Sequence, residues 1–199
     1  INKSFDELVG FKPPQKTKEI SWITSNQKAF PGHIARMKFL DQLIQSDLDV
    51  DVYGRGIRPI DDKSDGLIPY KYSLAIENSS SNDYWTEKVA DCFLSWCVPL
   101  YWGCQNLEKY FPNMSFIRID ILNPEKSISQ IRKVLAEDNW EARLDAISQA
   151  RDLILHKYQL FPHISDFIQS QYQPVTKGSY TLKPYGHRRR QIKQFFSNF

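Results

Sequence analysis

Apolar runs alternate with segments of helical periodicity along the chain. Five runs of four to six residues, rich in β-branched and aromatic side chains, predict strands at 19–24, 50–53, 72–76, 98–102 and 116–119. Apolar residues that recur every three or four positions predict helices at 31–45, 86–96, 128–135 and 140–158, with a short helix at 106–110. Gly54 and Gly103 follow two of the strands and mark where those strands end.

This alternation indicates the fold class. Short strands separated by helices of about ten or more residues are typical of βαβ units and a parallel sheet. We therefore predict an α/β protein with a Rossmann-like parallel sheet flanked by helices and a C-terminal helical extension. Residues 1–18 are interpreted as a linker or N-terminal extension, 19–170 as the Rossmann-like domain, and 171–199, where apolar periodicity is lost, as an extended basic tail.

Polar residues concentrate where ligands bind in such folds, at the carboxyl ends of the strands. That rule selects residues 25–36, 54–55, 77–88 and 103–104. The densest of these segments has Glu77 and Asn78 directly after a predicted buried strand, and Lys88 in the first turn of the next helix. A helix N-terminus with a lysine beside it can hold a phosphate group.

Other side chains of the same segment suit a nucleotide. Glu87 can accept hydrogen bonds from both ribose hydroxyls, and Tyr84 can pack against a base or a sugar. A structural explanation is equally compatible with these residues. In that interpretation Thr86 and Glu87 are favourable first-turn residues, and the helix is capped by Asn78 or Asp83.

Composition and charge narrow the function classes. The net charge is +3, and three consecutive arginines and a lysine within residues 187–193 account for most of it. The rest of the chain is close to neutral, which argues against a general nucleic-acid-binding surface. With 41% hydrophobic and 25% charged residues, the composition is that of an ordinary globular protein. No apolar run approaches the roughly 18–20 residues needed to span a bilayer.

Metal and disulfide chemistry are not favoured by the sequence. Asp49 and Asp51 form an Asp-x-Asp pair, but they lie at the start of a strand, away from the end where ligands bind. His33 begins a predicted helix near the candidate site, and we expect it to be a surface histidine. The odd number and uneven spacing of the cysteines predict buried, reduced thiols at Cys92, Cys97 and Cys104.

Several motifs occur in a defined order. Residues 70–103 read YKYSLAIENSSSNDYWTEKVADCFLSWCVPLYWG, and upstream of them lie SWITSN at 21–26, ARMKFL at 35–40 and VDVYGR at 50–55. Together these segments resemble the signature of the glycosyltransferase family 10 fucosyltransferases, from about residue 19 to about residue 120. Its usual form has a Phe-Glu-Asn triplet, and here Ile76 replaces the Phe.

The resemblance implies an inverting transfer of L-fucose from GDP-fucose to a hydroxyl of a glycan that contains GlcNAc or Glc. It implies a GT-B type enzyme, of which this chain is the C-terminal, donor-binding half. Arg36 and Lys88 correspond to cations that neutralise the diphosphate, so no metal cofactor is expected, and Glu87 corresponds to the ribose-binding glutamate. The further donor-site positions are Asn78, Tyr84 and Glu77. Glu77 either lines the pocket near the fucose or, as we favour, is a buried structural acid.

The resemblance also places the acceptor site and the general base in an N-terminal domain. The signature begins about twenty residues after Ile1, so the catalytic base stays unassigned and we expect an excised donor domain. A short protein that binds the donor without turnover is the alternative. The implied partners are GDP-fucose and, through the absent domain, a glycan acceptor. We expect a cytoplasmic or membrane-peripheral location for a bacterial protein, and the Golgi for a piece of a eukaryotic enzyme.

The C-terminal tail suggests a second function. It joins basic charge to aromatic residues, with Arg188, Arg189, Arg190 and Lys193 followed by two phenylalanines. Such a segment can contact an anionic membrane surface, although an ordinary solvated tail is the simpler interpretation. The competing hypothesis is therefore a non-catalytic nucleotide-sugar-binding or interaction domain that acts on an anionic membrane or a nucleic acid. A sugar nucleotide other than GDP-fucose is a third possibility.

Overall fold

A computed structural model describes residues 1–171 of the chain. Six helices and five strands are formed in this part. In chain order they are α1 (Phe5–Gly10), β1 (Lys18–Ile23), α2 (Pro31–Ile44), β2 (Asp51–Tyr53), β3 (Tyr70–Ile76), α3 (Glu87–Leu94), β4 (Val98–Trp102), β5 (Ile117–Arg118), α4 (Pro124–Glu137), α5 (Leu144–His156) and α6 (Leu160–Gln171). Short 3₁₀ turns lie at Lys63–Gly66, Leu107–Lys109, Asn113–Ser115 and Glu141–Arg143.

The strands form one parallel sheet in the order β2-β1-β3-β4-β5. Strand β1 lies between β2 and β3 in the sheet. The chain passes from β1 to β2 on one side of β1, and it then crosses to the other side to form β3. Such a reversal opens a crevice beyond the carboxyl ends of the two strands, where ligands bind in doubly wound folds. The predicted fold class, a Rossmann-like parallel sheet flanked by helices, is confirmed.

Side chains of the sheet face two separate apolar clusters. On β3, Tyr72, Leu74 and Ile76 belong to one cluster and Ala75 to the other, as the period of two along a strand requires. Tyr70, the first residue of β3, departs from this alternation and belongs to the second cluster. Apolar residues on both faces of the sheet require helices on both sides. Helices α2 and α4 contribute apolar residues to the first cluster, and α3 and α5 contribute to the second.

The three cysteines lie in the second apolar cluster. All are free and buried, as the sequence predicted. Burial raises the pKa of the Cys97 thiol to about 12, so this side chain is neutral at physiological pH.

The N-terminal segment contains a helix that the hydrophobic pattern did not reveal. Helix α1 has only six residues, and a capping box between Ser4 and Glu7 defines its start. Arg151 of α5 holds this segment on the body of the protein by donating to the carbonyl oxygens of Leu8 at 2.7 Å and Phe11 at 3.3 Å. Burial lowers the pKa of Arg151 to about 10.

The sheet and its flanking helices belong to one compact unit, Ile1–His163, and a second unit begins at Ile164. The predicted helix at 140–158 is divided into a 3₁₀ turn and α5, and α6 follows it. In the part of the chain that the structure describes, no helix combines the length and the apolar character required to cross a membrane. The basic residues Arg188, Arg189, Arg190 and Lys193 lie outside the described residues.

Candidate functional site

A cavity of about 250 Å³ lies at the carboxyl ends of β1 and β3, at the point where the strand order reverses. Helices α2 and α3 contribute residues to its walls. The lining residues are Ile23, Thr24, Ser25 and Gln27 from the end of β1 onward, His33 and Arg36 of α2, Lys63 and Leu67, Ser73, Leu74 and Asn78 along and after β3, and Glu87, Lys88, Asp91 and Cys92 of α3.

Helix α2 begins in close contact with the backbone that follows β3. Pro31 occupies the first helical position, and its neighbour Gly32 has no room for a side chain, because a Cβ there would lie 1.6 Å from the carbonyl oxygen of Asn78. Phe30, at the N-cap, provides no side-chain hydrogen bond to the helix. This approach brings the first turn of α2 to the edge of the cavity.

Arg36 lies one turn into α2 and is only 5% exposed. Its Nη1 donates to Oδ1 of Asn78 at 2.7 Å, while its Nε has no hydrogen-bond partner in the described part of the chain. Within residues 1–171, no carboxylate lies close enough to Arg36 to form an ion pair. Burial lowers the pKa of Arg36, and the negative charge of Glu77 partly opposes the shift. A guanidinium remains protonated in proteins, so the cavity contains a desolvated and incompletely neutralised cation.

Lys88 is held in place by the fully buried Glu77. The Glu77 carboxylate accepts hydrogen bonds from the backbone N–H of Thr86 at 2.9 Å and from its hydroxyl at 2.7 Å, and Nζ of Lys88 lies 3.3 Å from Oε2. Gly103 makes this possible, since a Cβ at that position would lie 2.4 Å from Cγ of Glu77. Glu77 does not line the cavity, and this geometry agrees with the interpretation that it is a buried structural acid.

The N-terminus of α3 is capped within the protein by Thr86. The Thr86 hydroxyl accepts from the backbone N–H of Lys88 at 3.4 Å, and the Thr86 N–H donates to Glu77. Sequence reasoning expected this helix end to present free N–H groups to a phosphate. The Thr86 hydroxyl takes one of these groups, the N–H of Lys88, and the expectation for the rest of the helix end stays a prediction. The ammonium group of Lys88 lines the cavity and is a second group of this segment that can bind an anion. Thr86 is also the N-cap, in place of Asn78 or Asp83.

Glu87 lies beside Lys88 with its carboxylate largely in solvent. Its Oε1 is 3.4 Å from Nζ of Lys88 and 4.0 Å from Nζ of Lys63. Burial is the largest influence on its pKa and acts to raise it, but the charges of the two lysines bring the pKa below the ordinary value of a glutamate. Lys63 in turn pairs with Asp91 at 2.8 Å. Glu87 is therefore ionised at neutral pH and free to accept hydrogen bonds.

His33 differs from the sequence expectation of a surface residue. It is 6% exposed, packs edge-on against Phe30 with ring centroids 5.4 Å apart, and lines the cavity. Burial, together with the positive charges of Arg36 and Lys88, lowers the pKa of His33. Its spacing of three residues from Arg36 places both side chains on one helix face, and this signal could have predicted the contact with the cavity.

The predicted site residues divide into those that line the cavity and those that do not. Four line it: Arg36, Asn78, Glu87 and Lys88. Glu77 lies behind Lys88, and Tyr84 is half-buried in the turn between β3 and α3 without lining the cavity. Sequence reasoning did not identify Thr24, which is buried at the cavity wall directly after β1.

The Asp-x-Asp pair lies at the other end of the sheet from this cavity. Asp51 begins β2, and its carboxylate accepts hydrogen bonds from Tyr70 at 2.6 Å, Arg58 at 2.5 Å and Lys18 at 3.0 Å. These partners hold the pKa of Asp51 well below its usual range. Among the described residues, no group of three or more His, Cys, Asp or Glu side chains is arranged to hold a metal ion.

Comparison with known proteins decides the family. Residues 13–143 match the sequence pattern of the C-terminal region of glycosyltransferase family 10 (fucosyltransferase). The chain belongs to this family. Over 136 residues it is 34% identical to the 4-galactosyl-N-acetylglucosaminide 3-alpha-L-fucosyltransferase 9 of Mus musculus and to that of Homo sapiens, an alignment that covers 65% of this chain and 36% of each relative. The chain thus corresponds to about a third of the length of these relatives.

Solved structures agree with the assignment to family 10. A crystal structure of an alpha1,3-fucosyltransferase superposes with a TM-score of 0.55 at 26% identity, over 74% of this chain and 42% of that one. An alpha1,3-fucosyltransferase with GDP-fucose superposes with a TM-score of 0.58 at 22% identity, over 88% of this chain and 54% of that one. This likeness supports the fold of the family 10 C-terminal half.

Proposed function

We propose that the chain is the donor-binding domain of an inverting α-1,3/4-fucosyltransferase, which transfers L-fucose from GDP-fucose to a glycan that contains GlcNAc or Glc. One observation carries the proposal: Arg36 and Lys88, from different βα units, line a single cavity at the reversal point of a parallel sheet. Membership of family 10 and a solved structural neighbour named for its GDP-fucose complex support it. We assign donor binding to residues 19–170, preceded by the extension 1–18 and followed by the tail 171–199.

The two cations suit the chemistry of the leaving group. Negative charge builds on the β-phosphate of GDP as the glycosidic bond breaks, and fixed positive groups stabilise that charge. Arg36 can offer a planar fork of N–H donors to phosphate oxygens, and Lys88 offers a compact point charge. Because Glu77 and Glu87 balance the charge of Lys88 while Arg36 lacks an ion-pair partner within residues 1–171, Arg36 contributes more of the uncompensated charge. We infer that donor binding requires no metal ion.

The remaining predicted residues have distinct roles in this proposal. Glu87 accepts hydrogen bonds from the ribose hydroxyls, since its carboxylate is ionised and open to solvent. Asn78 orients Arg36 through its side-chain oxygen. Tyr84 contributes to the donor site from the neighbouring turn. Glu77 acts on the donor indirectly, by fixing Lys88.

Turnover requires groups that we place outside this chain. Inverting displacement needs a base that removes the proton from the acceptor hydroxyl, and we propose that a further N-terminal domain supplies both this base and the acceptor site. The location follows from the source of the chain: cytoplasmic or membrane-peripheral for a bacterial protein, Golgi for a piece of a eukaryotic enzyme. The alternative function, contact of the basic tail with an anionic membrane or a nucleic acid, depends on residues outside the described part.

Calorimetric titration of the full chain with GDP tests the proposal. We expect saturable binding, weakened by about 10- to 100-fold in Lys88→Ala, because a charge-assisted contact with phosphate is lost. Lys133→Ala is the matched control, since this lysine lies on α4 with a side chain 74% exposed. Competition of UDP against GDP shows which nucleobase the site prefers. If neither the wild type nor Lys88→Ala binds GDP at millimolar concentration, the proposal is wrong.

A further inference from the structure

Buried polar atoms that lack hydrogen-bond partners concentrate at the cavity. Within residues 1–171, three such atoms belong to residues that line it: Oγ1 of Thr24, Nδ1 of His33 and Nε of Arg36. The exposed fractions of these residues are 8%, 6% and 5%. The three come from two elements, the end of β1 and the first turns of α2.

Such a cluster is unusual in a native protein, where about 90% or more of buried polar groups have a partner. Each buried polar atom without a partner lowers the free energy of unfolding, and three at one cavity lower it further. The three groups also share one chemical property. A threonine hydroxyl, a neutral imidazole N–H and a guanidinium N–H can each donate a hydrogen bond. A ligand that supplies several acceptor oxygens would satisfy all three at once.

We propose that Thr24 and His33 bind the nucleotide sugar. Together with Arg36, they donate hydrogen bonds to the oxygens of its diphosphate. This inference rests on the proposed function and deepens it. The diphosphate is favoured over the sugar hydroxyls for two reasons. Arg36 belongs to the same group of atoms, and the N-terminus of α2, which lacks a side-chain cap, begins beside His33 and favours negative charge.

The charges around His33 make its protonation a reporter of the ligand. His33 faces Arg36 on its own helix and Lys88 on α3, and both positive charges disfavour imidazolium. The other charged groups of the cavity are Glu87, Lys63 and Asp91, with Glu77 behind Lys88. A bound diphosphate reverses the balance of charge at His33. Donor binding should therefore be accompanied by proton uptake near pH 6, and donor affinity should rise as the pH falls toward about 6.

Proton uptake can be measured by calorimetry with GDP-fucose at about pH 6 in two buffers that differ in ionisation enthalpy. GDP-fucose is the probe because its diphosphate is esterified at both ends and has no group of its own that titrates in this range. We expect net proton uptake in the wild type and none in His33→Phe, which keeps the ring against Phe30. His156→Phe is the matched control, because His156 packs edge-on against Phe5, outside the cavity.

Thr24→Val gives an independent readout. It keeps the shape of the side chain and removes the hydroxyl, so GDP-fucose affinity should fall by about 3- to 10-fold. In the ligand-free chain the same change removes an unpaired buried group and should raise the Tm by about 2–4 °C. Thr17→Val, at an exposed position before β1, should change neither quantity. Opposite effects on stability and binding are the signature of a group that is satisfied only by the ligand.

The outcomes separate this inference from the proposed function. Failure of the wild type to bind GDP-fucose contradicts both. If the wild type binds and Lys88→Ala weakens binding, but His33→Phe retains both affinity and proton uptake and Thr24→Val binds normally, only the further inference is wrong. Should His33→Phe not melt cooperatively, His33→Asn replaces it. The asparagine amide keeps a polar group near the Nδ1 position, so affinity within about threefold of the wild type and no proton uptake support the inference. Retained uptake contradicts it.

Discussion

The substitution Glu77→Gln tests whether this carboxylate is structural. The side chain is fully buried, accepts two hydrogen bonds from Thr86 and pairs with Lys88 at 3.3 Å. Glutamine has nearly the same shape, but it loses the charge and directs an NH₂ donor at one of these partners. Breaking a buried ion pair costs about 3–5 kcal/mol. Because the Lys88 side chain is 21% exposed, we lower the expected loss to about 2–3 kcal/mol.

Thermal unfolding and GDP titration of the same samples provide the assay. For a chain of this size the loss corresponds to a Tm lower by roughly 5–10 °C. GDP affinity should change by only about threefold or less, because two effects on Lys88 oppose each other. Removing the negative charge of Glu77 strengthens the attraction of Lys88 for phosphate, while the loss of its partner makes the ammonium group less ordered.

Glu87→Gln is the matched comparison, since the chemical change is identical and the carboxylate is exposed. Its side chain is 56% exposed, so the Tm should stay within about 2 °C of the wild type, whereas GDP affinity should fall about 3- to 10-fold through weaker contact with the ribose. The reversed pattern would refute the reasoning. A Glu77→Gln chain with an unchanged Tm and a more than tenfold weaker affinity for GDP would make Glu77 a direct donor contact.

Two further predictions concern packing and pH. Gly32→Ala should cost about 1–3 kcal/mol and weaken GDP binding, because the new Cβ overlaps the Asn78 carbonyl. Gly10→Ala, with nothing within 4 Å, should change unfolding by less than about 0.5 kcal/mol. Asp51→Asn should destabilise the chain by about 1–2 kcal/mol at pH 7. Since hydrogen bonds from Tyr70 and Arg58 lower the pKa of Asp51, that difference should shrink below about pH 4 in pH-dependent denaturant unfolding, and a constant difference down to pH 2 would contradict it.

Several parts of the fold could be predicted from local pattern alone. The strand at Val98–Trp102 has the predicted bounds, and α2 begins at the predicted Pro31. Both are long enough for periodicity to be read, and Gly or Pro marks their ends. Helix α1 was not predicted because six residues with one buried side chain carry little periodic signal. The edge strand β5 is shorter than predicted, with only two paired residues.

The candidate site, like the fold, could be predicted from the sequence only in part. Four of the six predicted donor-site residues line the cavity, and the motifs around them determined which strand ends and which helix starts mattered. The state of each group depends on partners far away in the chain. Arg36 reaches Asn78 across 42 residues, and the space for Glu77 depends on a missing side chain at Gly103.

By itself, the sequence determined the order of strands and helices, the family motifs and the identity of the cations. Only the tertiary structure decided which of these groups are buried and which have hydrogen-bond or ion-pair partners. It made His33 a buried residue beside two cations, bonded the N-cap Thr86 to Glu77, and left the Thr24 hydroxyl without a partner among residues 1–171. The physical reason is that hydrogen bonding and desolvation are set by neighbours in space, and a parallel sheet brings those neighbours together from separate βα units.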